Sequence, residues 1–279
     1  MKTYNNHSFQ PAALLASITL FAAASSQVQT TIFTDNFNVA ATASLDGSDQ
    51  TGRHTGLVAN DVLVRSGGVQ MAIAGNQLTF KTADPAGRVR FQPVALPANT
   101  LYDFAAGTSG TAILGAGGFR FEFDWTPDNN TTFDNWVSLS AGYTAFDQTV
   151  RVNNSATDFG LLFRNTGETL FFDNGASAAG NNYDVSGGAF QRHATIDFTF
   201  GSFADGSAAT ANAYIDNVFV GSQNFTWDNN AGALYLELGN IGSVKQLDNI
   251  SITAVPEPSS LALLGLAGLA ALGFRRSKA

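Results

Sequence analysis

The chain has 279 residues, of which 44% are hydrophobic and 13% are charged, and its formal net charge is −8. This is enough apolar material for one large domain of about 200 residues, or for two small ones. Between Gln27 and Ala254 there are 21 Asp/Glu but only 10 Lys/Arg, so the surface repels phosphates and anionic head groups and excludes nucleic acid as a partner.

The first thirty residues have the layout of a secretory signal peptide. Lys2 gives a weakly positive start, an apolar run covers residues 11–24, and small residues occupy 22–26. The apolar run is too short for an ordinary membrane span, which needs about 20 residues. We therefore predict a signal peptide over residues 1–26 and export through the secretion translocon; a buried helix is the alternative.

From residue 30 to 254 the hydrophobic pattern has a period of two. In "FRFEFDW" (119–125) aromatic residues alternate with Arg120, Glu122 and Asp124, which predicts a half-buried strand with one solvated side. Three further segments alternate in the same way: 194–200, 233–238 and 247–253. About a dozen short strands without helices predict an all-β fold, a two-layer antiparallel sandwich.

Turns rich in Asn, Asp and Gly separate these strands. Residues 159–172 predict a β-hairpin with its turn at 165–167, and residues 212–222 predict another with Asp216 and Asn217 at its tip. Residues 40–56 predict a long surface loop rather than a domain boundary.

The two ends of this domain are expected to pair as its first and last strands, "TIFTDNFN" and "QLDNISIT". Together with the hairpin "FGLLFRNTG" and the segment "AYIDNVFVGSQNFTW", they resemble the concanavalin A-like, or laminin-G-like, jelly-roll domains. The resemblance implies a jelly roll over residues 30–254, but a fold of this kind does not define an activity.

Glu122 and Asp124 are the candidate catalytic pair. They are neighbours on one strand face, and retaining glycosidases hold two carboxyl groups about 5–5.5 Å apart. The jelly-roll glycosidase pattern that they resemble, Glu-x-Asp-x-x-Glu, needs a third carboxylate on the same strand, whereas here Asp128 follows a proline. A solvated face of alternating charges is the preferred interpretation, so we expect no catalytic residue and no enzyme.

Other catalytic and metal chemistries lack their residues. The chain has no cysteine and no Gly-x-Ser-x-Gly elbow, and its two histidines after the signal peptide, His54 and His193, are expected at the surface. Loops 45–50 and 126–134 are dense in Asp and Asn oxygens, which leaves calcium as an alternative, although neither loop follows the EF-hand pattern. We assign no metal ligand and expect no cofactor.

Carbohydrate binding needs an exposed aromatic platform beside amide and carboxylate groups. Trp136 and Trp227 adjoin Asn/Asp turns, where such a platform can be exposed. The alternative is that both are core aromatic residues near strand ends.

The last 25 residues contain three successive parts. They are an extended motif, an apolar run and a basic end: Val255, Pro256, Glu257, Pro258; residues 261–274; and Arg275, Arg276, Lys278. The prolines hold the motif extended. The 14-residue run rises about 21 Å as a helix, against a hydrocarbon core of about 30 Å, and snorkelling basic side chains can extend it. We predict a single transmembrane helix with its basic end in the cytoplasm.

These parts, in this order, resemble the PEP-CTERM sorting signal, over residues 255–279. The resemblance implies that a membrane enzyme of the exosortase type processes the tail. It also implies transient anchoring in the inner membrane of a Gram-negative-type bacterium, followed by delivery to the cell surface or to the extracellular matrix of a biofilm. A simple tail anchor is the alternative.

The sequence thus predicts an exported, non-catalytic protein of the cell surface or exopolysaccharide matrix, with extracellular polysaccharide as its candidate ligand. The alternative is a jelly-roll glycoside hydrolase or lyase that uses Glu122 and Asp124. Passive adhesion between cells is a third hypothesis.

Overall fold

A computed structural model describes most of the chain between the predicted signals. The described residues are 29–68, 71–79, 87–95, 100–127, 135–142, 152–186, 190–228, 232–241 and 246–255. They belong to one compact unit, residues 27–257. The predicted signal peptide and residues 256–279, with the apolar run proposed to cross the membrane, lie outside them. Within these ranges there is no helix of the length and apolarity that a membrane crossing requires.

The regular secondary structure of the described residues is almost entirely β-strand, which confirms the predicted all-β class. There are sixteen strands and one helix in this part of the chain. They are β1 Thr30–Asp35, β2 His54–Thr55, β3 Val62–Gly68, β4 Ala72–Ala74, β5 Gln77–Thr79, β6 Gly87–Pro93, α1 Gly107–Ala116, β7 Gly118–Thr126, β8 Trp136–Ala141, β9 Phe159–Arg164, β10 Thr169–Asp173, β11 Ala176–Ala179, β12 Arg192–Phe200, β13 Ser207–Ile215, β14 Val218–Trp227, β15 Leu236–Ile241 and β16 Gln246–Ala254.

The strands form two antiparallel sheets with the core between them, as the predicted sandwich requires. The nine-stranded sheet has the order β14-β13-β12-β7-β16-β1-β2, and β5, which pairs with β4, also pairs with β16. The seven-stranded sheet has the order β11-β10-β9-β8-β15-β6-β3. The first strand, β1, pairs with the last, β16, from Thr30↔Ala254 to Asp35↔Ile250, which confirms the predicted pairing of the two ends.

Aromatic side chains fill the core. On β7 the side chains of Phe119, Phe121, Phe123 and Trp125 are all buried, as the alternation predicts. Trp125 stacks on Phe163 of the opposite sheet with ring centroids 5.3 Å apart. Each fully buried phenylalanine contributes about 1.5–3 kcal/mol relative to an exposed one, so this core can hold the two layers together without disulfides.

Both predicted hairpins are present. The chain turns between β9 and β10 with Gly167 at φ +92°, and between β13 and β14 with Asp216 at +51° and Asn217 at +65°. Two successive left-handed residues define a type I′ turn, whose twist matches that of the flanking strands. This turn places the residues at the start of β14 directly opposite those at the end of β13.

Helix α1 corrects the prediction of a body without helices. Its sequence carries few start signals, because the N-cap Ala106 makes no side-chain cap and the first turn has no acidic residue. Burial compensates: Ser109 and Ile113 are fully buried where the helix packs against β7, β16 and β1. Gly117, in the left-handed conformation, ends it.

Candidate functional site

One solvated face of the nine-stranded sheet carries Arg120, Glu122 and Asp124. We call it the polar face: the side chains that β7, β12, β13, β14 and β16 turn away from the core. A row of side chains crosses these five strands in register, in the order Ser251, Glu122, Thr195, Tyr214 and Phe219. Neighbouring strands lie about 4.8 Å apart, so the row extends about 14 Å from Glu122 to Phe219.

Asp124 is held in place by three side chains. His193 Nδ1 lies 2.7 Å from its Oδ1, while Gln191 Nε2 and Asn249 Nδ2 donate to its Oδ2 at 3.2 and 2.8 Å. The same imidazole approaches Glu122, with Nε2 3.5 Å from Oε1. His193 therefore lies between the two carboxylates, and both oxygens of Asp124 are engaged.

The local sequence gives no sign that Asn249 belongs to this cluster. It sits at a bulge in β16, where the register against β7 shifts between Asp248 and Ser251, and its φ is +49°. A bulge re-aims side chains, and this one brings the Asn249 amide to Asp124. The pairing of β16 with β7 spans more than a hundred residues of sequence, so only the tertiary structure reveals the contact.

Arg120 forms a bidentate salt bridge with Asp197. Its Nε and Nη2 donate to Asp197 Oδ1 and Oδ2 at 2.6 and 3.0 Å. This hydrogen-bonded pairing is the main cause of the raised pKa of Arg120; Glu122 and Tyr214 add to it, and burial opposes it. The guanidinium of Arg120 is thus committed to Asp197, and it lies 4.0 Å from Glu122.

Glu122 keeps one oxygen open. Its Oε1 accepts from Thr195 Oγ1 at 3.4 Å and faces His193 and Arg120. No described residue donates a hydrogen bond to its Oε2, and the side chain is 23% exposed. An external hydroxyl or ammonium group can therefore bind to Glu122 from solvent.

An aromatic pair adjoins these carboxylates. Tyr214 and Phe219 are cross-strand partners whose ring centroids lie 5.5 Å apart at 62°. Phe219 is 47% exposed. Tyr214 also makes the smallest of the contributions that raise the pKa of Arg120. The polar face thus joins an exposed aromatic surface to carboxylate and amide groups, the combination expected of a carbohydrate site, but it uses Tyr and Phe rather than the predicted tryptophans.

The two tryptophans lie elsewhere. Trp227 has no exposed surface and packs in the core against Phe225 and Phe200, so its interpretation as a surface platform was wrong and the core alternative is correct. Trp136 is half-buried at the start of β8, on the other sheet, where it packs against a small apolar cluster. Trp136 as a carbohydrate-binding residue stays a prediction.

The outer face of the seven-stranded sheet differs from the polar face in its burial. Three of its charged residues, Arg88, Arg90 and Glu237, are less than 10% exposed. Arg90 Nε lies 2.5 Å from Glu237 Oε2, and Arg88 Nε lies 3.5 Å from Oε1. These groups form a buried ion cluster and offer a ligand less access than the polar face does.

His54 was expected at the surface, and this expectation was wrong. Its side chain is 4% exposed, and its Nε2 lies 3.1 Å from Oδ2 of the buried Asp35, whose Oδ1 faces Arg53 Nε at 2.8 Å. The pairing of β1 with β2 places Asp35 opposite His54 and buries both. The loop of residues 40–56 is correspondingly anchored by buried residues, among them Leu45.

In the first loop considered for calcium, the carboxylates contact backbone amides. Asp46 Oδ1 accepts from Ser66 N at 2.6 Å, and Asp49 Oδ1 accepts from Thr51 N at 2.9 Å. Most of the second loop lies outside the described residues. The part of the chain that the structure describes contains no cluster of three metal-binding side chains.

The sorting motif begins where β16 ends. Val255 directly follows Ala254, the last residue of that strand, whereas Pro256, Glu257, Pro258, Arg275, Arg276 and Lys278 lie outside the described residues. Ala254 pairs with Phe119 at the start of β7, five residues before Asp124. At about 3.4 Å per residue, the chain leaves the sheet about 17 Å from the Asp124–His193 pair, at the opposite end of the polar face.

Comparison with known families identifies the tail. Residues 254–277 match the family model of the PEP-CTERM protein-sorting motif, which confirms the predicted sorting signal. Proteins with this motif are exported, and the motif implies processing by an exosortase. The match covers the tail and leaves the role of the β-sandwich open.

Solved structures with similarity to this chain include three of different kinds. The structure titled HCR/D-Sa-GBL1/C is 12% identical, with 80% of this chain and 50% of that chain covered and a TM-score of 0.44, so the chain spans half of its length. The carbohydrate recognition domain of Emp46p is 8% identical, with 77% and 96% covered and a TM-score of 0.43. The alginate lyase Aly36B with an alginate tetrasaccharide is 12% identical, with 82% and 98% covered and a TM-score of 0.42. No curated protein sequence matches the chain.

Proposed function

We propose that this chain is a non-catalytic protein of the bacterial cell surface or extracellular matrix that binds polysaccharide through the polar face. The observation that carries the proposal is the row in which the exposed Phe219 and the half-buried Tyr214 lie in register with Glu122. Sugar C–H groups pack against aromatic faces, which carry partial negative charge, while carboxylates and amides accept and donate the bonds of sugar hydroxyls.

The contacts of the carboxylates favour binding over catalysis. Both oxygens of Asp124 accept from side chains, and His193 lies between Asp124 and Glu122. A nucleophile and an acid need a scissile bond between them, and here an imidazole lies in that place. We therefore assign Glu122 and Asp124 the role of fixed hydrogen-bond acceptors.

The position of the tail fits display at a surface. The chain leaves β16 at one end of the polar face, and Phe219 follows the hairpin tip at Asp216 and Asn217, near the other end. A domain processed or held at its C-terminus can thus present the aromatic end to its surroundings. Delivery by the secretion translocon, exosortase processing and release into the matrix of a Gram-negative-type bacterium complete the proposal.

The test is glycan binding by the mature protein purified from its producing cells. On a panel of bacterial exopolysaccharides, Phe219→Ala should weaken binding about tenfold, the equivalent of about 1.4 kcal/mol, because the ring that packs against the sugar is lost. Phe190→Ala is the matched control: Phe190 is also 47% exposed but packs over Arg192, away from the row. Equal binding by the wild type and Phe219→Ala would refute the site.

The enzyme alternative has its own readout. The wild type and Glu122→Gln are incubated with glucans and uronate polysaccharides, and the release of reducing ends and of unsaturated products is measured. We expect neither protein to degrade them. Degradation by the wild type that disappears in Glu122→Gln would make this chain a glycoside hydrolase or lyase and overturn the non-catalytic assignment.

A further inference from the structure

We infer that the polar face selects a cationic polysaccharide, a polymer of amino sugars whose amino groups are free. This inference rests on the proposed function, because it specifies the ligand class of the same site. It follows from the charges on that face, from the open oxygen of Glu122 and from the position of the aromatic pair relative to both.

Carboxylates dominate the charge of the polar face. The described residues that carry charge there are Glu122, Asp124, Asp197 and Asp248 on the negative side, and Arg120 on the positive side. Arg120 is bound to Asp197 through its Nε and Nη2, so its guanidinium has little remaining capacity to bind an anion. A face with this excess of negative charge attracts cations and repels uronate chains.

Asp248 lies near other carboxylates of this face. Its pKa is raised, first by burial and then by the nearby carboxylates of Asp124 and Asp35, while hydrogen bonds from Asn249 and Gln77 oppose the rise. The negative charge of Asp124 and Asp35 therefore adds to burial, the main cause, in disfavouring the ionised form of Asp248. An ammonium group placed here relieves this repulsion.

Glu122 offers the point of attachment. Its Oε2 accepts no bond from the described residues, and it lies in the same row as Tyr214 and Phe219. An ammonium group that donates to Glu122 forms a charge-assisted bond, about twice as strong as a neutral one. The row is about 14 Å long, so an oligosaccharide can place one ring on Phe219 and the amino group of another ring at Glu122.

The test compares three oligosaccharides of equal length: oligoglucosamine, its fully N-acetylated form and an oligouronate. Binding to the full chain is measured at low and at high salt. We expect oligoglucosamine to bind about tenfold more tightly than the N-acetylated form at low salt, to lose that advantage at high salt, and to outcompete the oligouronate, which is repelled.

Variants separate charge from stacking. Glu122→Gln should lower the affinity for oligoglucosamine at least fivefold and that for the N-acetylated form by a smaller factor, because the glutamine oxygen still accepts from a hydroxyl but has no charge for an ammonium group, whereas Phe219→Ala should weaken both to the same extent. Glu168→Gln is the charge-matched control, because Glu168 lies in the turn after β9 of the other sheet and pairs with Arg164. Thermal unfolding confirms that each variant is folded.

The outcomes distinguish selectivity for cationic polysaccharide from polysaccharide binding as such. Equal affinity for the glucosamine and N-acetylated oligosaccharides overturns the cationic selectivity and leaves polysaccharide binding intact. If no oligosaccharide of any charge binds, both proposals fail. If a polylysine peptide binds as tightly as oligoglucosamine and Phe219→Ala does not weaken it, the face takes a basic polypeptide, and the saccharide inference is wrong.

Discussion

Asp248 is the carboxylate whose environment most directly links charge to stability. Its pKa lies above the ordinary value of 3.8, chiefly because of burial. The folded state thus holds this proton more tightly than the unfolded state does. The resulting stabilisation is fully present below about pH 3.8, and it is lost as the pH rises through the raised pKa.

We therefore predict that Asp248→Asn stabilises the protein at pH 7. The amide keeps an oxygen for the backbone N–H of Asn249 and removes the charge that faces Asp124. Because the site is partly exposed, we expect a gain below about 1 kcal/mol in the free energy of unfolding. Urea unfolding at pH 7 and pH 3.5 measures it; the gain should vanish at pH 3.5. Asp205→Asn, at an exposed position, is the control, and an equal gain there would contradict the prediction.

For the buried pair of Asp35 and Arg53 we predict the opposite effect, a loss of stability when the carboxylate is removed. Both side chains have no exposed surface, and the carboxylate also accepts from the backbone N–H of Phe37 at 2.9 Å. Asp35→Ala should cost about 3–5 kcal/mol, because it leaves a buried guanidinium without its counter-charge. The double variant Asp35→Leu/Arg53→Met should recover most of this loss in thermal or urea unfolding. A double variant as unstable as Asp35→Ala would show that the packing, and not the unpaired charge, is responsible.

At the scale of elements, the sequence predicted those whose signals are local. The hairpins at 159–172 and 212–222 each carry their turn residues and their alternation within one short segment, and both are present. Helix α1 was not predicted, because its stability comes from burial of Ser109 and Ile113 against distant strands rather than from caps or charge. The bulge at Asn249 was not predicted either, because it exists only in the pairing of β16 with β7, which lies more than a hundred residues earlier in the chain.

The β13–β14 turn provides a test at this scale. Asn217 has φ +65°, a conformation that a β-branched residue adopts only with strain. We predict that Asn217→Val lowers the free energy of unfolding by about 1–2 kcal/mol, while Asn217→Gly is neutral or slightly stabilising. Thermal unfolding compares them; if the valine variant is as stable as the glycine variant, the turn is not type I′ in solution. Because Phe219 follows this turn, Asn217→Val should also weaken glycan binding.

For the whole molecule, the path of the chain out of the sheet limits where the tail can be processed. Ala254 is 2% exposed and pairs with Thr30 on one side and Phe119 on the other, so removing it would open the centre of the nine-stranded sheet. Val255, the residue after this strand, is partly exposed and lies within the matched sorting motif.

We predict that the mature protein ends at or after Val255 and is found in the medium or matrix. Fractionation of the producing cells followed by intact mass determines both termini. A protein that keeps Ala279 and stays in the membrane fraction would mean a plain tail anchor, and the matrix role would fail with it. A terminus before Ala254 would contradict the protection of β16 by its two neighbouring strands.

The sequence by itself determined the class of fold, the two hairpins, the pairing of the terminal strands and the sorting motif. The pairing of the terminal strands followed from the jelly-roll resemblance. The fold class, the hairpins and the sorting motif are each encoded in a contiguous pattern: the period-two alternation, the Asn/Asp/Gly turns, or the proline, apolar and basic blocks in order. The alternation on β7 even assigned Glu122 and Asp124 to the solvated face. These signals survive without an alignment because each depends on residues that are neighbours in the chain.

Only the tertiary structure decided what lies beside those residues. In the structure, His193 and Asn249 contact Asp124, and Tyr214 and Phe219 lie in the row of Glu122. His54 is buried against Asp35, and Trp227 belongs to the core. In a sheet, the neighbours of a side chain are set by strand order and register, which join residues tens to more than a hundred positions apart. The alternation shows which face a side chain occupies, but the pairing of strands determines which groups it meets there, and the proposed function depends on that pairing.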